Sequence, residues 1–293
     1  MTIETIAVIG TGTMGRGIAQ VSAQAGFRTL LYDANPAQSE AALTAIADNL
    51  AKGVEKGKVS PESRDQALAG LHAVSALADC APAGLIIEAV PENLELKKSI
   101  FGSLDEICGA EAIFASNTSS LSIARIATDL KRPGHFLGLH FFNPVHLMPL
   151  LEVVWHAGTA PAVIETALAV GKSLGKTCIQ VKDSPGFASS RLGVAIGLEA
   201  MRMLEEGVAS AADIDAAMEL GYKHPMGPLK LTDLVGLDVR LAIANYLHAE
   251  LKTDRFKPPA ILERLVAQGK LGKKSGAGFY RWDGDRAMPG DPA

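Results

Sequence analysis

Three groups of residues carry types and spacings that can do chemistry. Gly10, Gly12 and Gly15 form a GxGxxG pattern in GTGTMG, ahead of Asp33. In such a motif the first glycine permits a tight strand-to-helix turn, the second lets backbone approach a pyrophosphate, and the third lets the helix lie close on the strand. Thr13 and Met14 fill the turn, and the helix start offers free N–H groups and a positive dipole end to phosphate. An acid about 20 residues after the motif binds both ribose hydroxyls of NAD and repels the 2′-phosphate of NADP, so the cofactor read from these residues is NAD. The competing reading of Asp33 is a turn residue before Asn35 and Pro36.

The second group is His140 in HFFNP, with Glu152 in LLEVV. Oxidation of an alcohol needs a base for the hydroxyl proton as hydride leaves, and imidazole titrates near neutrality. A carboxylate on its other ring nitrogen fixes the tautomer and stabilises the imidazolium. The two residues fall on neighbouring strand-like segments joined by a proline-bearing turn, a spacing that permits the pair. A histidine beside two phenylalanines also suits a core position bonded to a carbonyl. His72, His135, His146, His156, His224 and His248 have no comparable support. The third group is Ser116, Asn117, Thr118, Ser119 and Ser120, at the predicted carboxyl end of a strand, where open α/β sheets bind ligands. The same run equally suits a helix N-cap ahead of residues 121–127.

Strand-like segments are predicted at residues 3–9, 29–32, 85–89, 112–116, 136–141, 151–155 and 178–181. Helical patterns lie between several of them, including one from 35 to about 56. This alternation predicts an α/β, doubly wound, mostly parallel Rossmann-type sheet with helices on both faces. After Ser184, Pro185 and Gly186 the periodicity becomes helical, with a long alanine-rich helix over 187–206 and no convincing strand before the terminal GFYRW. We therefore expect an NAD-binding domain over 1–184 and an all-α substrate and dimerisation domain over 185–293.

The 293 residues suit two domains, and with 48% hydrophobic and 20% charged residues the chain is expected to be globular and not disordered. A net charge of −4 gives no reason to expect nucleic acid or anionic lipid as partner. Cys80, Cys108 and Cys178 lack metal-ligand spacing and are expected to be reduced core residues, with no metal site. No basic leader or long apolar run appears, which points to a cytoplasmic protein with no membrane partner.

Together the motifs resemble the short-chain L-3-hydroxyacyl-CoA dehydrogenase family, close to its bacterial 3-hydroxybutyryl-CoA members. The likeness spans almost the whole length: GTGTMG with Asp33, EAVPENLELK at 88–97, SNTSSL at 116–121, GLHFFNPV at 138–145, LLEVV at 150–154, KDSPGF at 182–187, MGPLKLTDLVGLD at 226–238 and GKKSGAGFY at 272–280. The resemblance implies reversible oxidation of a 3-hydroxyacyl-CoA by NAD, in β-oxidation or butyrate metabolism, by a homodimer joined through the C-terminal domain. It implies that His140 is the catalytic base and Glu152 its acid, with Ser119 between nicotinamide and substrate and Asn143 near the nicotinamide. It further assigns Glu92, Lys97 and Lys274 to the cofactor and Lys56 to the CoA phosphates. Lys52 and Lys58 are possible helpers or simply a solvated helix face. Two departures stand out: Ser190 replaces the family's substrate-facing asparagine, and Asn49 stands where relatives carry a CoA-contacting serine. Rival readings are a dehydrogenase of free hydroxy acids, related to gulonate-type enzymes, and a non-catalytic NAD-binding structural protein. Turnover of CoA thioesters compared with that of free hydroxy acids, beside cofactor binding, separates all three.

Overall fold

In a computed structural model, residues 2–290 are described. The chain divides into two compact units, Met1–Ser184 and Pro185–Ala293. The first unit runs β1 (Thr5–Ile9), α1 (Thr13–Gln24), β2 (Arg28–Tyr32), α2 (Pro36–Glu55), α3 (Pro61–Ala69), β3 (Leu71–Ala73), β4 (Leu85–Glu88), α4 (Leu94–Ile107) and β5 (Ile113–Ser116). It continues with α5 (Ile123–Ala127), β6 (Phe136–Phe141), β7 (Leu150–Trp155), α6 (Pro161–Ser173) and β8 (Thr177–Lys182). The eight strands form one sheet in the order β3-β2-β1-β4-β5-β6-β7-β8. All neighbours are parallel except β6 and β7. The order reverses between β1 and β4, and at such a switch point the diverging connections leave a crevice beyond the strand ends.

Local sequence explains the boundaries. Ile6 to Ile9 and Leu85 to Ile87 are buried in the middle of the sheet, where helices on both faces favour continuous apolar runs. Asn35 accepts the Ala37 N–H and Pro36 begins α2, an N-cap followed by a residue that needs no donor. Ser60 and Pro61 open α3 in the same way. One core cluster joins α1, α2 and α6 to the sheet through Ile18, Ile46, Val170, Val8 and Leu151. Of the three free cysteines, Cys80 is buried as expected. Cys178 is half-buried and packs against the core cluster of the sheet, whereas Cys108 is only half-buried, which corrects its assignment to the core.

The second unit contains α7 (Ser189–Glu205), α8 (Ala211–Ala216), α9 (Pro228–Val235), α10 (Leu237–Leu251) and α11 (Ala260–Ala267). It is helical, with one addition to the expected all-α unit: β9 (Tyr280–Asp283) and β10 (Arg286–Pro289) pair antiparallel. Its core is built on Val194, Leu198, Met201, Leu229, Leu247 and Leu262. The buried Asp233 organises its end by accepting the N–H groups of Phe279 and Tyr280 and the Trp282 Nε1–H, each at 2.8–2.9 Å. A Cβ on Gly278 would lie 2.2 Å from Asp233 Oδ1, so the glycine in GKKSGAGFY is a steric requirement of that contact. No described helix is long and apolar enough to cross a membrane.

Candidate active site

Beyond the carboxyl end of β1, Gly10 has φ +87°, a left-handed conformation that costs glycine little. A Cβ on Gly15 would lie 1.7 Å from the Gly10 carbonyl oxygen, so the first turn of α1 can close on the loop only without a side chain there. Gly12 is the N-cap of α1, makes no side-chain cap bond, and has nothing within 4 Å of where a Cβ would stand. The first and third glycines thus meet protein while the second faces open space, as close approach of a pyrophosphate requires.

Asp33, just after β2, accepts the Thr11 N–H at 2.8 Å and the Thr11 hydroxyl at 3.2 Å on Oδ2. Its Oδ1 accepts the Asn35 N–H at 3.0 Å. The turn reading of this residue agrees with its Asn35 contact, and the same carboxylate is also tied to the glycine loop through Thr11. Asp33, Gly10, Gly12, Thr13 and Met14 line one cleft with Ala89 and Val90. The loop, the helix end and the acid fit a dinucleotide.

His140 and Glu152 are directly opposite in the antiparallel β6/β7 pair. Directly opposed residues present side chains on the same face, and Nδ1 of His140 lies 2.7 Å from Glu152 Oε2. Glu152 is fully buried and His140 is 6% exposed. A carboxylate on Nδ1 places the proton there and leaves Nε2 with its lone pair, an assignment that follows from the hydrogen-bond partner. The Phe142 ring stands 4.4 Å from the imidazole, centroid to centroid. His140 opens into a cleft it shares with Ser119, Glu92, Asn117 and Asn143.

Glu92 organises that cleft. Its Oε1 accepts the Thr118 hydroxyl at 2.6 Å, the Ser119 and Ser120 N–H groups at 3.1 and 3.2 Å, and the Ser120 hydroxyl at 3.0 Å. Burial alone would raise its pKa. The Thr118 hydroxyl, the Lys97 ammonium and the Ser120 and Ser119 donors outweigh it and hold the carboxyl below its ordinary value. The serine run is thus folded around Glu92, and the N-cap of α5 is Ser122, which accepts the Arg125 N–H. Lys97, expected at the cofactor, is 1% exposed and pairs with Glu88 at 2.6 Å and Glu92 at 3.5 Å, so it offers almost no surface to a ligand. Glu88 carries no signal that singles it out in the sequence, whereas Asn117 belongs to the polar run expected at the carboxyl end of a strand. Asn117 accepts the Phe141 N–H at 2.9 Å and ties the end of β5 to that of β6.

Neighbouring clefts share wall residues. Met14, Ala89 and Val90 line both the glycine-loop cleft and the His140 cleft. Asn143 is shared with a third cleft, between α1 and α2, that contains Arg16, Asn49, Lys52 and His146. A fourth, sharing Asn49, Lys52 and His146, reaches Lys56 and Lys58. Asn49 accepts from Gln20 Nε2 at 3.0 Å. Lys52, Lys56 and Lys58 are exposed, as phosphate-facing ammonium groups would be. Sequence reasoning missed Arg16 and set His146 aside; Arg16 lies one residue beyond the glycine motif, and only the fold brings either into this cleft.

The remaining two candidates belong to the second unit. Ser190 lies in the first turn of α7 and is half-buried. Lys274 donates to both oxygens of Asp238, at 2.5 and 2.6 Å. Among the described residues no group of His, Cys, Asp and Glu could hold a metal ion.

Comparison with known proteins places this geometry. Residues 5–184 match the family described as 3-hydroxyacyl-CoA dehydrogenase, NAD binding domain, and residues 186–282 match that family's C-terminal domain. A probable 3-hydroxybutyryl-CoA dehydrogenase of Bacillus subtilis is 41% identical over 283 residues, 97% of this chain and 99% of that protein. A 3-hydroxybutyryl-CoA dehydrogenase of Clostridioides difficile is 40% identical over 278 residues, 95% of this chain and 99% of that protein. The crystal structure of (S)-3-hydroxybutyryl-CoA dehydrogenase PaaH1 from Ralstonia eutropha superposes with a TM-score of 0.93 at 38% identity, covering 96% of this chain and all of that one. The chain therefore belongs to the 3-hydroxyacyl-CoA dehydrogenase family and is an oxidoreductase that uses NAD through its N-terminal Rossmann-type domain.

Proposed function

We propose that this protein interconverts a short-chain L-3-hydroxyacyl-CoA, of the 3-hydroxybutyryl-CoA kind, and the corresponding 3-ketoacyl-CoA. The observation that carries this reading is the 2.7 Å His140–Glu152 pair in a cleft whose wall runs on into that of the glycine loop. NAD, when bound, supplies the hydride acceptor. His140 Nε2 takes the hydroxyl proton, while Nδ1 stays on Glu152, whose buried negative charge stabilises the imidazolium. Ser119 donates to the oxygen that becomes the ketone, and Asn143 orients the nicotinamide end. Glu92 acts by holding the Ser119 loop. Asn49 and Lys56, with Lys52 and Lys58, form the CoA side of the reading, and Ser190 takes the family's asparagine position with a shorter reach.

The family likeness also supports a homodimer. Leu192 and Ile196 of α7, Leu231 and Leu234 of α9 and Val239 of α10 are 38–64% exposed, while the opposite side of α7 fills its own core. Apolar side chains in such number on neighbouring helices fit a protein interface. Sedimentation at twice the monomer mass supports this; a monomer at micromolar concentration contradicts it.

The function is tested by steady-state reduction of acetoacetyl-CoA and longer 3-ketoacyl-CoA thioesters with NADH and NADPH in parallel. Rapid NADH oxidation with the C4 thioester is expected. Equal or faster turnover of the free hydroxy and keto acids would favour the hydroxy-acid reading, and cofactor binding without turnover the non-catalytic one.

A further inference from the structure

Glu88 closes β4 with 0% of its surface exposed, a costly place for a carboxylate unless every lone pair is used. Its Oε1 accepts from the Lys97 ammonium and from the Val90 N–H, each at 2.6 Å. Its Oε2 accepts the Ser116 hydroxyl at 2.7 Å, and the Ser116 oxygen in turn accepts the Thr118 N–H at 3.3 Å. On the other side Lys97 reaches Glu92 at 3.5 Å, and Glu92 accepts the Thr118 hydroxyl and the Ser119 N–H. The contacts close a ring: Glu88, Ser116, Thr118, Glu92, Lys97. The ring joins the end of β4, the start of α4 and the loop after β5, and Ser119 hangs from its open side.

We propose that Glu88 is a positioning residue for Ser119: gripping Ser116 directly and Glu92 through Lys97, it sets where Ser119 stands in the His140 cleft. The proposal rests on the reading of Ser119 given above. A buried ion pair adds little net stability because both partners are desolvated, yet losing one partner leaves the other uncompensated. Removing the Glu88 charge therefore frees Lys97 to pull on Glu92 alone, and Oε1 of Glu92 is what holds the Ser119 and Ser120 amides. Glu88 touches neither member of the His140–Glu152 pair, so the pH profile of turnover is not its readout.

A double-mutant cycle with Ser119→Ala separates positioning from a structural role. Glu88→Gln keeps the shape and removes the charge. In the otherwise wild-type enzyme it is expected to lower kcat for acetoacetyl-CoA reduction about tenfold; in the Ser119→Ala background the same change is expected to cost less than about twofold. Equal losses in both backgrounds, or no loss in the first, would overturn the proposal. Should Glu88→Gln not fold, Ser116→Ala, which leaves the Lys97–Glu88 pair in place, goes through the same cycle with the same two outcomes. Hydrogen exchange at the Ser119 and Ser120 amides reads the positioning without turnover. It is expected to accelerate about tenfold in the variant, and unchanged exchange would reject the role even if the dehydrogenase reading itself fails.

Discussion

Asp33 Oδ2 accepts the backbone N–H of Thr11 at 2.8 Å, which makes the acid after β2 and the glycine turn after β1 a single structural piece. The carboxylate proposed to select the ribose thus also fixes the loop proposed to hold the phosphates. Asp33→Ala is expected to weaken NADH binding by about tenfold or more while changing NADPH much less, because the 2′-phosphate no longer meets a negative charge. Dissociation constants for the two nucleotides check this; an unchanged ratio removes Asp33 from the ribose role.

Lys52 lines a cleft that shares Asn143 with the His140 cleft, Lys56 lines the neighbouring cleft that shares Lys52 and Asn49, and neither lysine is ion-paired among the described residues. Replacing either by alanine is expected to raise KM for acetoacetyl-CoA about three- to tenfold at low salt, with kcat nearly unchanged. The effect is expected to shrink as ionic strength rises. A salt-independent loss confined to kcat would place these lysines outside CoA recognition.

Glu92 links the order of the Ser119 loop to pH on the acid side. Its carboxyl is held below its ordinary value of 4.5, so it favours the folded loop fully above that pH and loses hold as pH falls through the lowered value. The Ser119 loop is therefore expected to stay ordered through mild acid and to loosen only below the usual carboxylate range. Glu92→Gln is expected to flatten that acid limb in thermal melts taken between neutrality and strong acid. An identical limb in variant and wild type assigns it to another carboxylate.

Much of this arrangement was legible in residue order, and the misses have physical causes. Strands β4 and β6 stand out as runs of buried apolar residues with clear ends. β3 does not: it has three residues, of which only Leu71 is buried, so no periodicity marks it. α3 was equally overlooked although Ser60 and Pro61 form an ordinary helix start. The segment around Glu152 was visible as a strand, but its antiparallel direction, which sets Glu152 across from His140, depends on the short turn through Pro144 and Pro149 closing back on β6. The family likeness places Lys97 at the cofactor; its burial against Glu88 at the end of β4 is a pairing that residue order does not show.

The central claim is that His140 moves the substrate proton with Glu152 behind it. The most direct measurement is the rate of acetoacetyl-CoA reduction by NADH in wild type and His140→Ala, with NADH affinity measured on both proteins. The account predicts a fall in kcat of at least about a hundredfold with nucleotide binding retained. A His140→Ala enzyme turning over at the wild-type rate would contradict it.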